Sequence, residues 1–475
     1  MRALTKQLLV ATSLSVIATG MPTNSAHAQV IPGGTECAIV GTAVTCAGDL
    51  SAGVLVENLA VSDLTVTTGI AGDETPEIAP AAGIDGILFG NNNDVITIDS
   101  TADIAATGDR ASGIAGIQYG SGDVIITSTG NISTTGARVS ANAPLSNFYP
   151  NEDSDGIVAV TFGGDGVVSI TSEGDITTAG ENAEGLVSAQ LGGDGDVTVN
   201  STGDISTSGI DSPGVNAVQA AGVGNIIIDN NGDINTAGAD SEAILGSISS
   251  DGSGNITVTS VGDLTTTGDQ AEGIAALIQS GTSGAITIDN VGAINTEGVN
   301  SRGINTIVTV AGTGATTIEN SGDITTTGGG NQYLLGARAI SAVSYAGDIS
   351  IDNSGVLTTS GQFSRGINAY TASTSTADID ITNAGAITTT ADDAEGIQVF
   401  NYAAGPATVT NTSALSTGGA RSSAIQVNQG EFTNGNGDLV SATGDSDVII
   451  TNSGDITTSG EFSRGIDTRL SLIHI

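Results

Sequence analysis

The sequence predicts an all-β fold: a right-handed parallel β-helix whose coils of about 30 residues stack on one another. Three observations carry this. A phrase of the form GDITTTG recurs at a near-constant interval. Each recurrence brings three short stretches rich in Ile, Val and Thr, punctuated by Gly, Asn and Asp. The repeats nowhere show the apolar spacing of a helix, which excludes α-solenoids.

Taking the aliphatic residue of each phrase as an anchor gives Ile104, Ile132, Ile176, Ile205, Ile234, Leu264, Ile294, Ile324, Leu357, Ile387, Leu415 and Ile456. Nine of the eleven intervals lie between 28 and 33 residues; the outliers, 44 and 41, contain insertions. Leu64 reads as a degenerate earlier copy. Around Ile294 the three stretches are 285–288, 294–296 and 304–310. Ile286 and Ile288 alternate about Thr287, which turns one face inward. A unit of this size cannot bury its own apolar face and must stack on its neighbours. Three strands wound in one sense pair like with like in parallel, and crossover chirality favours the right hand. Twelve or thirteen rungs with strands ~4.8 Å apart predict a rod of about 60 Å. Hexapeptide coils and nonapeptide calcium rolls need shorter periods.

Columns follow from the repeat. Just upstream of the anchors stand Ser100, Ser128, Ser172, Asn200, Asn230, Ser260, Asn290, Asn320, Asn353, Asn383, Asn411 and Asn452. The asparagines are expected to stack as a hydrogen-bonded ladder at one corner. Two residues before the anchor, ten of twelve positions are glycine, which suits a turn with φ > 0. Ten residues after it an apolar column includes Ile274, Ile304, Leu334, Ile367 and Ile397. Eight residues after it stand Glu242, Glu272, Arg302, Gln332, Arg365 and Glu395, with Glu184 and Arg464 further out. Stacking should pair Glu272 with Arg302 and Arg365 with Glu395, as exposed ion pairs.

The chain divides into residues 1–28, 29–62, 63–468 and 469–475. Residues 1–28 have a signal peptide's plan: Arg2 and Lys6, an apolar run over 8–18, and the small-x-small site Ala26-His27-Ala28. Cleavage is expected between Ala28 and Gln29. Losing Arg2 and Lys6 takes the formal net charge from −41 to −43 and leaves no lysine. Such a surface repels nucleic acid and anionic lipid. Disorder is the obvious alternative for an acidic chain with 69 glycines, but 38% of residues are hydrophobic, in register, and mean hydropathy is +0.17. Residues 29–62 form an N-terminal cap containing Cys37 and Cys46, the only cysteines. In an oxidising compartment they close a disulfide; two free buried thiols are the other reading. The segment 469–475 leaves the pattern and reads as truncation or a foreign tail, with a genuine cap as the alternative.

The signal peptide, the opening CAIV…VTC over 37–46, and phrases such as NSGDITTTG and AEGI resemble autotransporter passengers of Gram-negative bacteria. The resemblance covers residues 1 to about 468. It implies a β-helical passenger displayed by a C-terminal outer-membrane β-barrel, a partner in cis that this sequence lacks. Two-partner-secreted filaments and haemagglutinin-like proteins carry similar phrases.

Function is read mostly by elimination. Both histidines, His27 and His474, lie in the leader and the tail, which excludes Ser-His-Asp and Cys-His centres from the β-helix. Tryptophan is absent. No metal site or cofactor is expected; Gly163-Gly164-Asp165-Gly166 only faintly suggests a calcium turn. Two insertions are the candidate binding loops, one with Asp73 and Glu74, the other with Phe148, Tyr149, Glu152, Asp153 and Asp155. They are expected at equivalent turns two rungs apart, ~10 Å from each other. The function expected is a non-enzymatic surface passenger, an adhesin or spacer presenting loops to a host or neighbour-cell glycan or protein. The alternatives are a polysaccharide-acting enzyme using carboxylates of the insertions and a structural filament module.

Overall fold

Strands of three to five residues rich in Ile, Val and Thr are too short to be stable alone, and most find their partners one repeat away. The computed structural model describes strands at 36–40, 43–47, 54–57, 64–68, 77–78 and 87–91. It then describes 95–470 apart from 109–110, 137–152, 280–282, 310–311, 331–335, 373–374, 431, 434–438 and 441–446. Side chains are described within 95–469, apart from 250–251, 432–433 and 439–440. Every regular element among the described residues is a strand. The described residues form two compact units, those up to 241 with 245–254, and 242–244 with those from 255 on.

In the first unit three parallel sheets stack in register. The first holds Ile96–Ser100, Val124–Ser128, Val168–Ser172, Val197–Ser201 and Ile226–Asn230. The second holds Asp103–Ala106, Ile132–Thr134, Ile176–Thr178, Ile205–Thr207 and Ile234–Thr236. The third holds Ile114–Gln118, Ile157–Thr161, Leu186–Gln190 and Val215–Gly222. Parallel stacking begins upstream of residue 63, because Ala43–Ala47 pairs with Leu64–Thr68 and Val54–Glu57 with Ile87–Asn91. Glu36–Val40 pairs antiparallel with Ala43–Ala47 and sets Cys37 opposite Cys46.

The second unit repeats the plan. Its first sheet runs from Ile256–Ser260 to Val448–Asn452, its second from Leu264–Thr266 to Ile456–Thr458, and its third from Ile274–Ile278 to Ile466–Leu470. The 41-residue interval holds a small antiparallel pair, Phe432–Thr433 with Leu439–Val440. In both units the anchors form the inward column: from Ile104 to Leu415 none is more than 2% exposed. Each such side chain stabilises its stack by ~1.5–3 kcal/mol.

Several column assignments change. Leu64 is no anchor, since it pairs with Ile96 in the first sheet, and the second-sheet partner of Ile104 is Ile78. Asn200 lies outside the ladder: it stands five residues before Ile205, between Thr171 and Asp229, and Ser201 takes the buried slot between Ser172 and Asn230. In the second unit the ladder is continuous. Asn290 Nδ2 donates to Asn320 Oδ1 at 2.8 Å, and the chain runs on through Asn353, Asn383 and Asn411 to Asn452 at 2.7–2.8 Å. Each amide also donates to the carbonyl two residues ahead, as Asn320 does to Gly322.

The glycine column is not left-handed. Its members are absent from the positive-φ positions among the described residues. They are required by close approach instead: a Cβ on Gly292 would lie 2.0 Å from the Gly262 carbonyl oxygen, and one on Gly322 equally close to that of Gly292. The left-handed column falls six residues after the anchor and consists of Asn182, Asp211, Asp240, Gln270, Asn300, Phe363, Asp393, Arg421 and Phe462, with φ from 52° to 61°. The backbone amides of Asn182, Asp211, Gln270, Asn300, Phe363, Asp393 and Arg421 donate to the next rung, as from Gln270 to Val299 O at 2.9 Å. This satisfied amide offsets a conformational cost of ~1 kcal/mol or more.

Candidate functional site

The third sheet differs from the other two in how it meets solvent. Strands of the first alternate, with Ile286, Ile288 and Asn290 buried and Thr287 and Asp289 exposed. In the third sheet the outward positions are largely buried too, throughout Leu186–Gln190 and at all but the half-buried fourth position of strands such as Ile304–Val308 and Ile425–Gln429. Odd positions face the core: a Cβ on Gly116 would meet Val124 Cγ1 at 2.9 Å and Ile126 Cδ1 at 3.3 Å. The even positions therefore face outward and are nonetheless largely withdrawn from water. In the first unit they form an apolar cluster with Val158, Val160, Val187 and Val218.

The column eight residues after the anchor borders this outward face. In the first unit it runs Asp155, Glu184, Pro213, held by Gly156 N to Glu184 O and Gly185 N to Pro213 O. Asp155, expected in a loop, is thus back in the rung: it is buried, and its Oδ1 accepts from Glu184 N at 2.8 Å. Asn216 Nδ2 donates to both Glu184 carboxyl oxygens at 3.1 and 3.2 Å. Burial pushes the Glu184 carboxyl up to about 8 against the Asn216 hydrogen bond, with the charges of Asp153 and Asp211 adding to the rise. Its side chain keeps some contact with solvent. A carboxyl that stays protonated near neutral pH beside other acids has the chemistry of a general acid.

In the second unit the same column reads Glu242, Glu272, Arg302, Arg338, Arg365, Glu395, as the bonds from Gly303 N to Arg338 O and from Ala339 N to Arg365 O show. Arg338 takes the place expected of Gln332, and Ile340 that of Leu334, because extra residues lengthen the turn before this strand. Gln332 and Leu334 lie outside the described residues. The expected pairs form: Arg302 Nη1 to Glu272 Oε1 at 3.0 Å, and Arg365 Nε to Glu395 Oε2 at 2.8 Å. They are not the exposed pairs expected, for the four side chains are only 8–17% exposed. Arg338, between two arginines, is buried and bonds Ser341 Oγ at 3.2 Å. Burial, then the charges of Arg365 and Arg302, lower its pKa well below the usual guanidinium range.

Beside this column the outward positions carry Asn305, Ser341, Asn368 and Gln398, all buried. Beyond them lies an aromatic group: Tyr370 packs edge-on against Tyr345 and Tyr402 with ring centroids 6.1 and 5.7 Å apart, and Phe400 adjoins Tyr402. Guanidinium, amide and aromatic rows side by side make a surface able to take polar ligands with an acidic group.

Of the predicted binding-loop residues, Asp153 and Asp155 come together near Glu184. Asp73, Glu74, Phe148, Tyr149 and Glu152 lie outside the described residues, as do Ala28 and Gln29. Residues 69–76 and 137–152 of the two insertions lie outside the described residues. The strands flanking the first are Leu64–Thr68 of the first sheet and Glu77–Ile78 of the second, and those flanking the other are Ile132–Thr134 of the second and Ile157–Thr161 of the third. Among the described residues no group of three or more His, Cys, Asp or Glu is placed to hold a metal ion. No described helix is long and apolar enough to cross a membrane. Comparison with protein-family models, curated proteins and solved structures finds no match.

Proposed function

We propose that this chain is the β-helical passenger of an autotransporter-type surface protein, exported through residues 1–28 and acting without catalysis as an adhesin or a loop-presenting spacer. The observation that carries the reading is the division of labour among columns. Anchors, asparagines, glycines and left-handed turns serve stacking, while chemical variety gathers on the outward face of the third sheet. A rigid scaffold with one variable face is how repeat proteins bind. The partners of this reading are a C-terminal outer-membrane barrel in cis and a glycan or protein of a host or neighbouring cell, with nucleic acid disfavoured by charge. Protease shaving of Gram-negative cells expressing the full reading frame should release this chain from the surface, beginning at Gln29. Retention in the cytoplasm with residues 1–28 intact would overturn the proposal.

A second reading, a polysaccharide-acting enzyme, is favoured by the raised pKa of Glu184 beside Asp153 and Asp155. It requires release of reducing ends from a polysaccharide by the wild type and loss of that release in Glu184→Gln. Equal activity in both proteins removes Glu184 from the reading.

A further inference from the structure

Arginine is scarce: residues 29–475 hold eight, against 51 acidic residues and no lysine. Three of the eight, Arg302, Arg338 and Arg365, occupy consecutive rungs of one column. Stacked rungs bring such neighbours to ~4.8 Å between backbones, so their charges repel where solvent screening is weak. The nearest acids of the column are already engaged, Glu272 with Arg302 and Glu395 with Arg365. Arg338, 2% exposed, has no ion pair among the described residues, and its one side-chain hydrogen bond goes to the neutral Ser341. The buried Nε atoms of both Arg338 and Arg302 lack a hydrogen-bond acceptor.

We propose that Arg302, Arg338 and Arg365 form a binding site for an oxyanion of carboxylate or sulfate type. The side chains of Arg302 and Arg365 reach solvent, at 17% and 13% exposure, while Arg338, on the rung between them, is 2% exposed. An anion bound beside the two outer guanidiniums would find the unfilled Nε donors of Arg302 and Arg338 on adjacent rungs. Planar forks with unfilled donors suit two oxygens of one group better than a point charge such as chloride. A chain this acidic repels anions at long range, so binding requires a local and specific array. The site stands whether or not the chain is a surface passenger. The neighbouring Asn368 Oδ1 is buried without a donor and would accept from a ligand hydroxyl. The oxyanion therefore has two possible sources, a free inorganic ion or the acid group of a saccharide.

The test is calorimetric titration of the purified chain at constant ionic strength with sulfate, with an oligouronate and with its neutral counterpart, alongside thermal unfolding. Saturable binding of sulfate or the oligouronate, with a rise in Tm that chloride does not give, is expected. Arg338→Gln should weaken it at least tenfold. Arg421→Gln, which removes an exposed arginine paired with Asp393, should leave it unchanged. Oligouronate well ahead of sulfate identifies a saccharide acid, and equal affinities a free ion; either result upholds the site. If Arg338→Gln does not fold, the wild-type titration still decides. The site is refuted by no saturable binding of either anion to the wild type, by equal binding of the neutral saccharide, or by a folded Arg338→Gln with unchanged affinity.

Discussion

Arg302 Nη1 lies 3.0 Å from Glu272 Oε1, across one rung and 30 residues of sequence, with both side chains largely buried. The pair reports register as well as charge, because slipping the stack by one rung removes Glu272 from Arg302. A double-mutant cycle on Glu272→Gln and Arg302→Gln should give a coupling of ~1 kcal/mol, at the top of the range for exposed pairs. The same cycle on Asp393 and Arg421, whose arginine is 55% exposed, should give less and lose more of it in salt. Chemical denaturation at two ionic strengths measures both. Equal couplings would mean that burial adds nothing.

The asparagine ladder offers a sharper contrast. Asn320 accepts from Asn290 and donates to Asn353 and to Gly322. Asn320→Ala removes all three bonds and strands buried partners, at ~2–3 kcal/mol. Asn200→Ala should cost under ~0.5 kcal/mol, since its side chain lies outside the buried slot. Similar costs at the two positions would remove the ladder as a stabilising device.

Much of this architecture was legible because it is periodic. Each anchor repeats its environment, so Ile294 could be placed inward from spacing alone, and Glu272 opposite Arg302 by adding eight. Counting failed where the period broke. Extra residues before Ile340 hid Arg338 and put Gln332 in its place, and with it hid the centre of the arginine column. The degenerate first copy was misassigned in the same way, because Leu64 belongs to the first sheet. The left-handed column was hidden for a different reason. Residues as unlike as Phe363, Arg421 and Asn300 adopt the same φ, and each bonds its amide to the next rung, so the conformation goes with the stack and not with side-chain type. Glycine misled in the opposite direction: at Gly292 it answers a stacked carbonyl, not a turn conformation.

Gly292→Ala should therefore be severe. The new methyl would sit 2.0 Å from the Gly262 oxygen, and both backbones are pinned by parallel strands on either side. A cost of ~3 kcal/mol or more is expected from such overpacking. Gly418→Ala is the control, because its Cβ would meet nothing closer than 3.5 Å. It should be neutral or stabilising by about 0.4–1 kcal/mol through the unfolded chain. Thermal unfolding midpoints that fall equally would show that the stacked contact is not the cause.

The hairpin register makes a statement about the cap. Directly opposed residues of an antiparallel pair have Cα atoms ~4.5–5.5 Å apart, within the span a disulfide bridges. Cys37 and Cys46 are so opposed. Thiol labelling of the exported, unreduced protein should find no free cysteine. Two labelled thiols in that preparation would eliminate the bridge.

Glu184 gives the stack a dependence on pH with a definite sign. Its carboxyl is pushed up to about 8 in the folded chain from an ordinary 4.5, chiefly by burial. Between those values the folded state holds a proton that the unfolded state has released, so unfolding releases a proton and stability falls as pH rises. The contribution is fully present below pH 4.5 and is lost by the time pH passes 8. Most acidic residues act in the opposite sense when they are paired: Asp467, held low against the upward pull of burial by hydrogen bonds from Arg464 and Arg469, loses its contribution as pH falls. Glu184→Gln keeps an uncharged group of the same shape beside Asn216 and removes the titration. The mutant should match the wild type at pH 4 and exceed its Tm at pH 8.5, with the gap opening between. Parallel Tm profiles across that range would show that Glu184 is ionised in the folded chain, and would also withdraw the proton on which the enzymatic reading depends.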